Sequence, residues 1–335
     1  MMRSRGAPAN ALRALLAAAA ANVAAGFFVS GQQSCSPARI LLRQRNVGSS
    51  TAIPKPAAAA DGLQAQGGAG ETVGEGAGAA SNAFAQELGV LDEEQAAMMA
   101  EECILVDRND RPTGSASKVE THLSSRGLLL HRAFSVFLFD RKGRVLMQRR
   151  ADSKHTFAGY WTNTCCSHPL WNGVEMGTDM TTPKGDKMAS EGDAAVAGAM
   201  RAAVRKLGQE LGIPAAQLPL EDFSFLTKVH YIASSGSTWG EHEIDYVYLI
   251  QADVDLDPNP NEVSDAEFLD REGLRSLLAS AERGEVKFTP WSAYIIDRFV
   301  FGWWDHVGDK GKLETYRDDI IHRVGSCADE GGPGG

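Results

Sequence analysis

The chain has 335 residues, 43% of them hydrophobic, and a formal net charge of −10. That length holds one large domain or two, with ample apolar residues for a packed core. The acidic balance excludes general nucleic-acid binding, which rests on a basic footprint; an anionic small substrate would need a local basic pocket.

From the N-terminus, residues 1–60 contain no Asp or Glu. They carry Arg3, Arg5, Arg13, Arg39, Arg43, Arg45 and Lys55 among many Ala and Ser. This composition predicts an organelle transit peptide over 1–60. The apolar run Ala14–Val29 offers two rival readings, a secretory signal or a membrane anchor. It is short and alanine-rich for a span, which takes about 20 apolar residues, so no stable membrane partner is expected. The Gly/Ala-rich, hydroxylated character leans to a plastid, with the mitochondrion as the alternative. Residues 61–90 are Ala/Gly-rich and read as a disordered linker.

A folded domain is expected over 91–310. Glu101–Asp107 reads as a first strand, followed by a turn at Asn109–Gly114. Phe134–Asp140 and Arg144–Arg150 read as strands joined by a hairpin at Arg141–Gly143. Residues 171–193, polar and rich in Gly, Thr and Lys, read as a surface excursion. Ala194–Leu211 has helical spacing, with Gly212 as its C-terminal stop. Phe223–Ala233 and Glu243–Ala252 are further strands, Ala266–Arg283 contains a helix, and Trp291–Trp304 is a C-terminal helix. Residues 311–335 are a tail whose end, after Gly325, is expected to be disordered. No internal repeat is evident. Strands interleaved with a few helices indicate an α+β domain, a layered αβα sandwich.

The cysteines are Cys35, Cys103, Cys165, Cys166 and Cys327. They form no paired framework, so free thiols in a reducing compartment fit best. Cys166 lies two residues before His168. A thiol beside a histidine serves as a nucleophile or as a proton donor and acceptor, although most free cysteines are small buried hydrophobes. Cys165 fits that plainer role if the two thiols point to opposite sides. Glu241, Glu243 and Asp245 alternate, so on a strand they share a face while His242 points away. With His122, His131 and His168 they offer an imidazole and carboxylate set that suits Zn, Mn or Mg. Arg149, Arg150, Lys154 and His155, with Lys118, form a cationic group able to hold phosphate oxygens; a solvated hairpin end is the bland alternative. Glu210, near the end of its helix, is a candidate ligand for a second ion, and surface Glu on helices is commonplace.

Five blocks in order give these fragments a common frame: Leu128–Phe139 (LLLHRAFSVFLF), Thr162–Leu170 (TNTCCSHPL), Gln209–Ile213 (QELGI), Trp239–Tyr246 (WGEHEIDY) and Thr289–Trp291 (TPW). Together they resemble type I isopentenyl-diphosphate delta-isomerase, a Nudix-fold family, from about Cys103 to Trp304. The resemblance implies a Nudix-like sandwich with a mixed sheet, acting on a prenyl diphosphate; a monomer is expected. It implies that Cys166 and Glu243 are the acid/base pair, with Tyr231 near the carboxylate and Trp291 beside the hydrocarbon. It matches His122, His131, His168, Glu241 and Glu243 to metal ligands and Glu210 to a carboxylate holding Mg2+ at the diphosphate. Lys118, Arg150 and Lys154 match diphosphate contacts, with Ser167 a further candidate.

The Nudix box departs from the hydrolase pattern. Aligned on Gly212, the chain keeps Arg205, Leu207, Glu210 and Ile213. Glu191 replaces the opening Gly, and Ala197, Lys206 and Gln209 replace three of the carboxylates. Hydrolases use that cluster to hold ions and activate water, so the departure favours an isomerase over a Nudix hydrolase. A catalytically silent metal-binding module would leave Cys166, Glu243 and Trp291 without a shared purpose.

Overall fold

The computed structural model describes residues 93–178 and 191–327. The expected transit peptide, the linker, most of the 171–193 excursion and the glycine-rich end of the tail lie outside the described residues. Helix α1 (Glu93–Met99) precedes strands β1 (Glu102–Val106) and β2 (Pro112–Ser117). Ser117 ends β2 and starts α2 (Lys118–His122) with a reciprocal cap: its hydroxyl accepts from the Glu120 amide while the Glu120 carboxylate accepts from the Ser117 amide. Next come β3 (His131–Phe139), β4 (Val145–Arg150), β5 (Trp161–Thr162), β6 (Cys165–Ser167), α3 (Gly173–Met176) and α4 (Glu191–Leu211). Strands β7 (Phe223–Ser235), β8 (Trp239–Gln251) and β9 (Val263–Leu269) lead to α5 (Arg271–Glu282) and α6 (Pro290–Ile295). The described chain closes with α7 (Phe301–Trp303), α8 (Lys310–Glu314) and β10 (Ile321–Arg323).

All ten strands join one mixed sheet, with the order β10-β7-β8-β3-β1-β2 along its main path. Strand β3 runs parallel to β8 and antiparallel to β6, and every β3 residue is buried. Strand alternation sends Phe134, Val136 and Leu138 into one core with α4, through Ala199, Ala203 and Leu207. It sends Phe137 and Phe139 into a second core with Leu274 and Leu278 of α5 and Trp291 and Ile295 of α6. The sheet is therefore covered by helices on both faces, the αβα sandwich expected from the sequence.

Gly212 stops α4 at φ 67°, and an added Cβ there would meet the Asp257 carbonyl oxygen at 2.3 Å. Only glycine fits both the turn and that approach.

Four expectations are corrected or refined by the structure. The β3–β4 hairpin is nominal: the two strands share the single pair Phe139–Val145, because β6 and β8 occupy the flanks of β3 while β4 pairs with β9. The start of the 171–193 excursion is at the surface as expected, but it is helical and docked rather than loose. Glu175 is buried, accepts from the Leu170 amide and is bound by Arg205 at 2.6 Å, which docks α3 against α4. The C-terminal helix runs continuously as expected from Pro290 to Trp303 but widens into a π-turn at Ile296–Val300, which apolar spacing alone does not register. The tail expected from 311 includes α8 and β10, and β10 adds a parallel strand to β7. No helix of the described residues is long and apolar enough to cross a membrane.

Candidate active site

Strand β8 alternates as expected, and Glu241 and Glu243 point to the same side. His122 from the end of α2, His131 from the start of β3 and His168 just past β6 converge on them. The ligand-type atoms of these five buried residues lie within 4.8 Å of one another. The three imidazole centroids are mutually 4.8 Å apart.

The hydrogen bonds fix which ring atoms face inward. His122 Nδ1 donates to the Lys118 carbonyl oxygen at 2.7 Å, and His131 Nδ1 donates to that of Leu129 at 2.7 Å. In the neutral rings each Nε2 is therefore a bare lone pair. His122 Nε2 nonetheless sits 2.6 Å from Glu241 Oε2, and both atoms are buried without a hydrogen-bond partner, as is His131 Nε2. Lone pairs crowded together in this way suit a cation between them. Donation of the outer nitrogen to a carbonyl is the usual support of a metal-bound histidine. Three imidazoles and two carboxylates thus fit a divalent ion. Burial resists ionisation of Glu241 and Glu243; positive charge at His122 and His131, with the Tyr231 hydrogen bond to Glu243, outweighs it and holds both carboxyls below the ordinary range, and with those rings neutral a bound cation would supply that charge. Burial and the His131 and His122 neighbours push His168 well down, so it stays neutral. His168 Nε2 approaches Glu243 Oε1 at 2.7 Å.

Glu243 has a second partner. The Tyr231 hydroxyl, from the paired position on β7, donates to Glu243 Oε2. The Tyr231 ring stacks on Trp291, and Phe157 meets Trp291 edge-on at 4.9 Å. Phe157 holds φ 49°, a left-handed backbone costly for a bulky residue. Its amide donates to the Ser235 hydroxyl at 2.8 Å. Trp291 reaches this place because Thr289 and Pro290 start α6 there, and the Thr289 hydroxyl is 2.8 Å from that of Thr162 on β5.

Cys166 lies in β6 opposite Ser135, on the flank of β3 away from β8. Its Sγ is 3.7 Å from the Thr162 hydroxyl and 3.9 Å from the Arg150 guanidinium. Burial pushes the thiol up to about 12; Glu210 and Glu243 add to this, and Arg150 opposes it. Cys165 faces the α4 core, as its plainer reading requires, with its thiol 3.7 Å from Glu210 Oε2.

Beside the histidines a cavity is walled by Lys118, His122, Arg150, Lys154, His155 and Thr156. The expected cationic group is gathered there without Arg149, which turns outward to Asp152. Ser167 is buried in β6 but does not line this cavity; alternation puts it on the Cys165 side. Glu210 also stands apart from the five metal-type ligands, taking Gln148 Nε2 at 3.1 Å and Lys206 Nζ at 3.4 Å. The sequence reading missed Gln95, Met98 and Met99 of α1, which cover the cavity, and Glu262, which pairs with Lys154 and accepts from Gln95 at 2.7 Å. No local pattern marks them, because these contacts join segments far apart in the chain.

Residues 129–292 match the NUDIX domain. The chain is 47% identical over 238 residues to isopentenyl-diphosphate Delta-isomerase 1 of Bos taurus, covering 70% of this chain and 96% of that protein. It is 47% identical over 245 residues to isopentenyl-diphosphate delta-isomerase idi1 of Aspergillus fumigatus, covering 70% and 82%. The chain belongs to the isopentenyl-diphosphate delta-isomerase family. Its relatives include a plant protein, isopentenyl-diphosphate Delta-isomerase I of Clarkia breweri, 45% identical over 233 residues, covering 68% of this chain and 76% of that one.

For an isopentenyl-diphosphate delta-isomerase the altered Nudix box has a structural counterpart. Lys206 stands where a hydrolase has a carboxylate, and it neutralises Glu210. Burial opposes the charge on Lys206, but Glu210 and Glu262 outweigh it and raise the ammonium above its ordinary range. The retained Arg205 clamps Glu175 and donates to the His168 carbonyl oxygen at 3.2 Å, holding the loop that follows Cys166.

Proposed function

We propose that this isomerase interconverts isopentenyl and dimethylallyl diphosphate by moving protons between substrate carbon and the pair Cys166 and Glu243. The observation that carries this reading is the placement of the two groups on the strands that flank β3, with Cys166, Tyr231 and Trp291 packed on the same face of the sheet. Cys166 is held as an un-ionised thiol and Glu243 as a carboxylate, on opposite flanks of β3. Environments that push two titratable groups apart assign an acid and a base. Protonating the alkene gives a tertiary carbocation, and loss of a proton from the neighbouring carbon restores the double bond one position along. Each group takes the opposite role in the reverse direction. The face of Trp291 stabilises the cation, and burial keeps water from capturing it. Tyr231 orients Glu243 through its hydroxyl.

Lys118, Arg150 and Lys154 would bind the diphosphate in the cavity under α1; Ser167 would contribute from β6 without lining that cavity. His122, His131, His168, Glu241 and Glu243 would hold one divalent ion, Zn, Mn or Mg. When bound, that ion would offset the paired carboxylates and fix the orientation of Glu243. Mg2+ would enter with the diphosphate, with Glu210 the nearby carboxylate to share it. We read the enzyme as a monomer. The acid-free, Arg-bearing residues 1–60 support delivery to a plastid, with the mitochondrion as the alternative.

The test is to incubate the purified chain with isopentenyl diphosphate and Mg2+ and follow the products by NMR. Dimethylallyl diphosphate without phosphate release is expected. Free phosphate would indicate a hydrolase, and no turnover would remove the catalytic reading.

A further inference from the structure

The face of the β7–β8 hairpin opposite the active site carries a second cluster. On β8, His242 points away from Glu241 and Glu243; on β7, His230 points away from Tyr231. His230 Nε2 and His242 Nε2 are 3.0 Å apart, with ring centroids 5.2 Å apart and planes within 11° of parallel, so the rings meet edge to edge. Cys327, in the turn that follows β10, brings its sulfur into the same place, and the three ligand-type atoms lie within 4.8 Å of one another. His230 and Cys327 are fully buried, and His242 is half-buried, which leaves a way in from solvent.

The tautomers matter here as they did above. His242 Nδ1 donates to the Leu128 carbonyl oxygen at 2.7 Å, so its Nε2 is a lone pair aimed at His230. In the neutral pair, His230 Nε2 must then carry the proton between them. His230 Nδ1 has no hydrogen-bond partner and would carry the ring proton when Nε2 serves as a ligand. A metal ion can replace the proton held between the two rings. Tetrahedral Zn2+ with Zn–N near 2.0–2.1 Å sets its nitrogens about 3.3 Å apart, close to the 3.0 Å seen between these rings. The support of His242 by a carbonyl is that of a ligand histidine. A ligand set of two imidazoles and one thiol is also softer than the oxygen-rich set of the active site and selects against Mg2+.

We propose that His230, His242 and Cys327 form a second, structural Zn2+ site that clips the C-terminal segment to the back of the hairpin bearing Tyr231, Glu241 and Glu243. The segment is already laid along β7 by the β10 pairing and by the Val324 amide donating to the His230 carbonyl oxygen at 2.9 Å. The ion would close a long loop from β8 to Cys327, and long-range cross-links of this kind restrict the unfolded chain most.

The test uses the full chain, stripped by chelation and titrated with Co2+ as a spectroscopic probe. Two equivalents are expected, with a near-ultraviolet thiolate-to-cobalt charge-transfer band that added Zn2+ bleaches. Cys327→Ser and His230→Gln should each lose that band and one equivalent while keeping the circular dichroism of the parent. Cys166→Ala and His131→Asn should keep the band. Because isomerisation is not the readout, the outcome is independent of the catalytic reading. A single equivalent without a band would overturn the site, and so would a band that survives Cys327→Ser and disappears in Cys166→Ala.

Discussion

Tyr231 lies nearly parallel to Trp291, with ring centroids 5.5 Å apart and planes 17° apart. The contact ties the proposed acid/base carboxylate to the aromatic proposed to stabilise the cation, because the same tyrosine donates its hydroxyl to Glu243. The two functions of Tyr231 can be separated. Tyr231→Phe keeps the stack and removes the hydroxyl, so kcat should fall roughly 10- to 100-fold, the cost of losing a group that orients a ligand. KM for isopentenyl diphosphate should move little. A large rise in KM with unchanged kcat would show that the tyrosine binds substrate instead.

Trp291 should matter through its π face. Trp291→Leu removes a cation–π contribution of about 2 kcal/mol, equivalent to roughly 30-fold in rate, while Trp291→Tyr should retain most of it. Steady-state rates of the two variants check this. Equal losses would mean that the ring only fills space.

The five-ligand cluster predicts dependence on a divalent ion. Chelation should abolish turnover, and adding back a divalent ion should restore it. His131→Asn should lower both metal content and rate by at least about 10- to 100-fold, without unfolding β3. Full activity in a chelated enzyme with no bound metal would contradict the assignment of Glu241 and Glu243 as ligands.

A buried pair sets part of the acid stability. Burial opposes the charge on Glu262, but Lys154 and Lys206 outweigh it and draw its carboxyl from 4.5 down to about 2. The folded value is below the unfolded one, so the stabilisation is complete above about pH 4.5 and drains away as pH falls toward 2. A shift of this size corresponds to about 3 kcal/mol. Burial, with help from Arg150, pulls Lys154 below its ordinary range, which reduces the net gain. Glu262→Gln should therefore lower stability at neutral pH and flatten its decline between pH 4.5 and 2. Urea unfolding across that range measures it, and parallel curves for parent and variant would rule the pair out as a stability element.

Much of the site could be read from the sequence because it rests on short periods. Glu241 and Glu243 share a face by strand alternation, His131 opens β3, and the spacing of Cys166 and His168 puts both on the side opposite Cys165. What was not legible depends on long-range packing. Lys154 finds Glu262 across 108 residues, and Gln95 reaches the same carboxylate from α1. Asp110 is another case: it gathers Arg132, Lys228 and Tyr246 into a buried polar network from three strands. The parallel docking of β10 on β7 has no local signature, and neither does the loss of the β3–β4 hairpin to competition for the flanks of β3. The buried Glu175 was hidden in a polar stretch that composition alone assigns to solvent.

The most direct measurement is the rate of Cys166→Ala with isopentenyl diphosphate, taken together with its metal content and thermal unfolding. Loss of the thiol should reduce turnover by at least about 100- to 10,000-fold, the range for a general acid or base, while metal content and stability stay near those of the parent. A variant that isomerises at close to the parent rate would show that proton transfer does not pass through this sulfur.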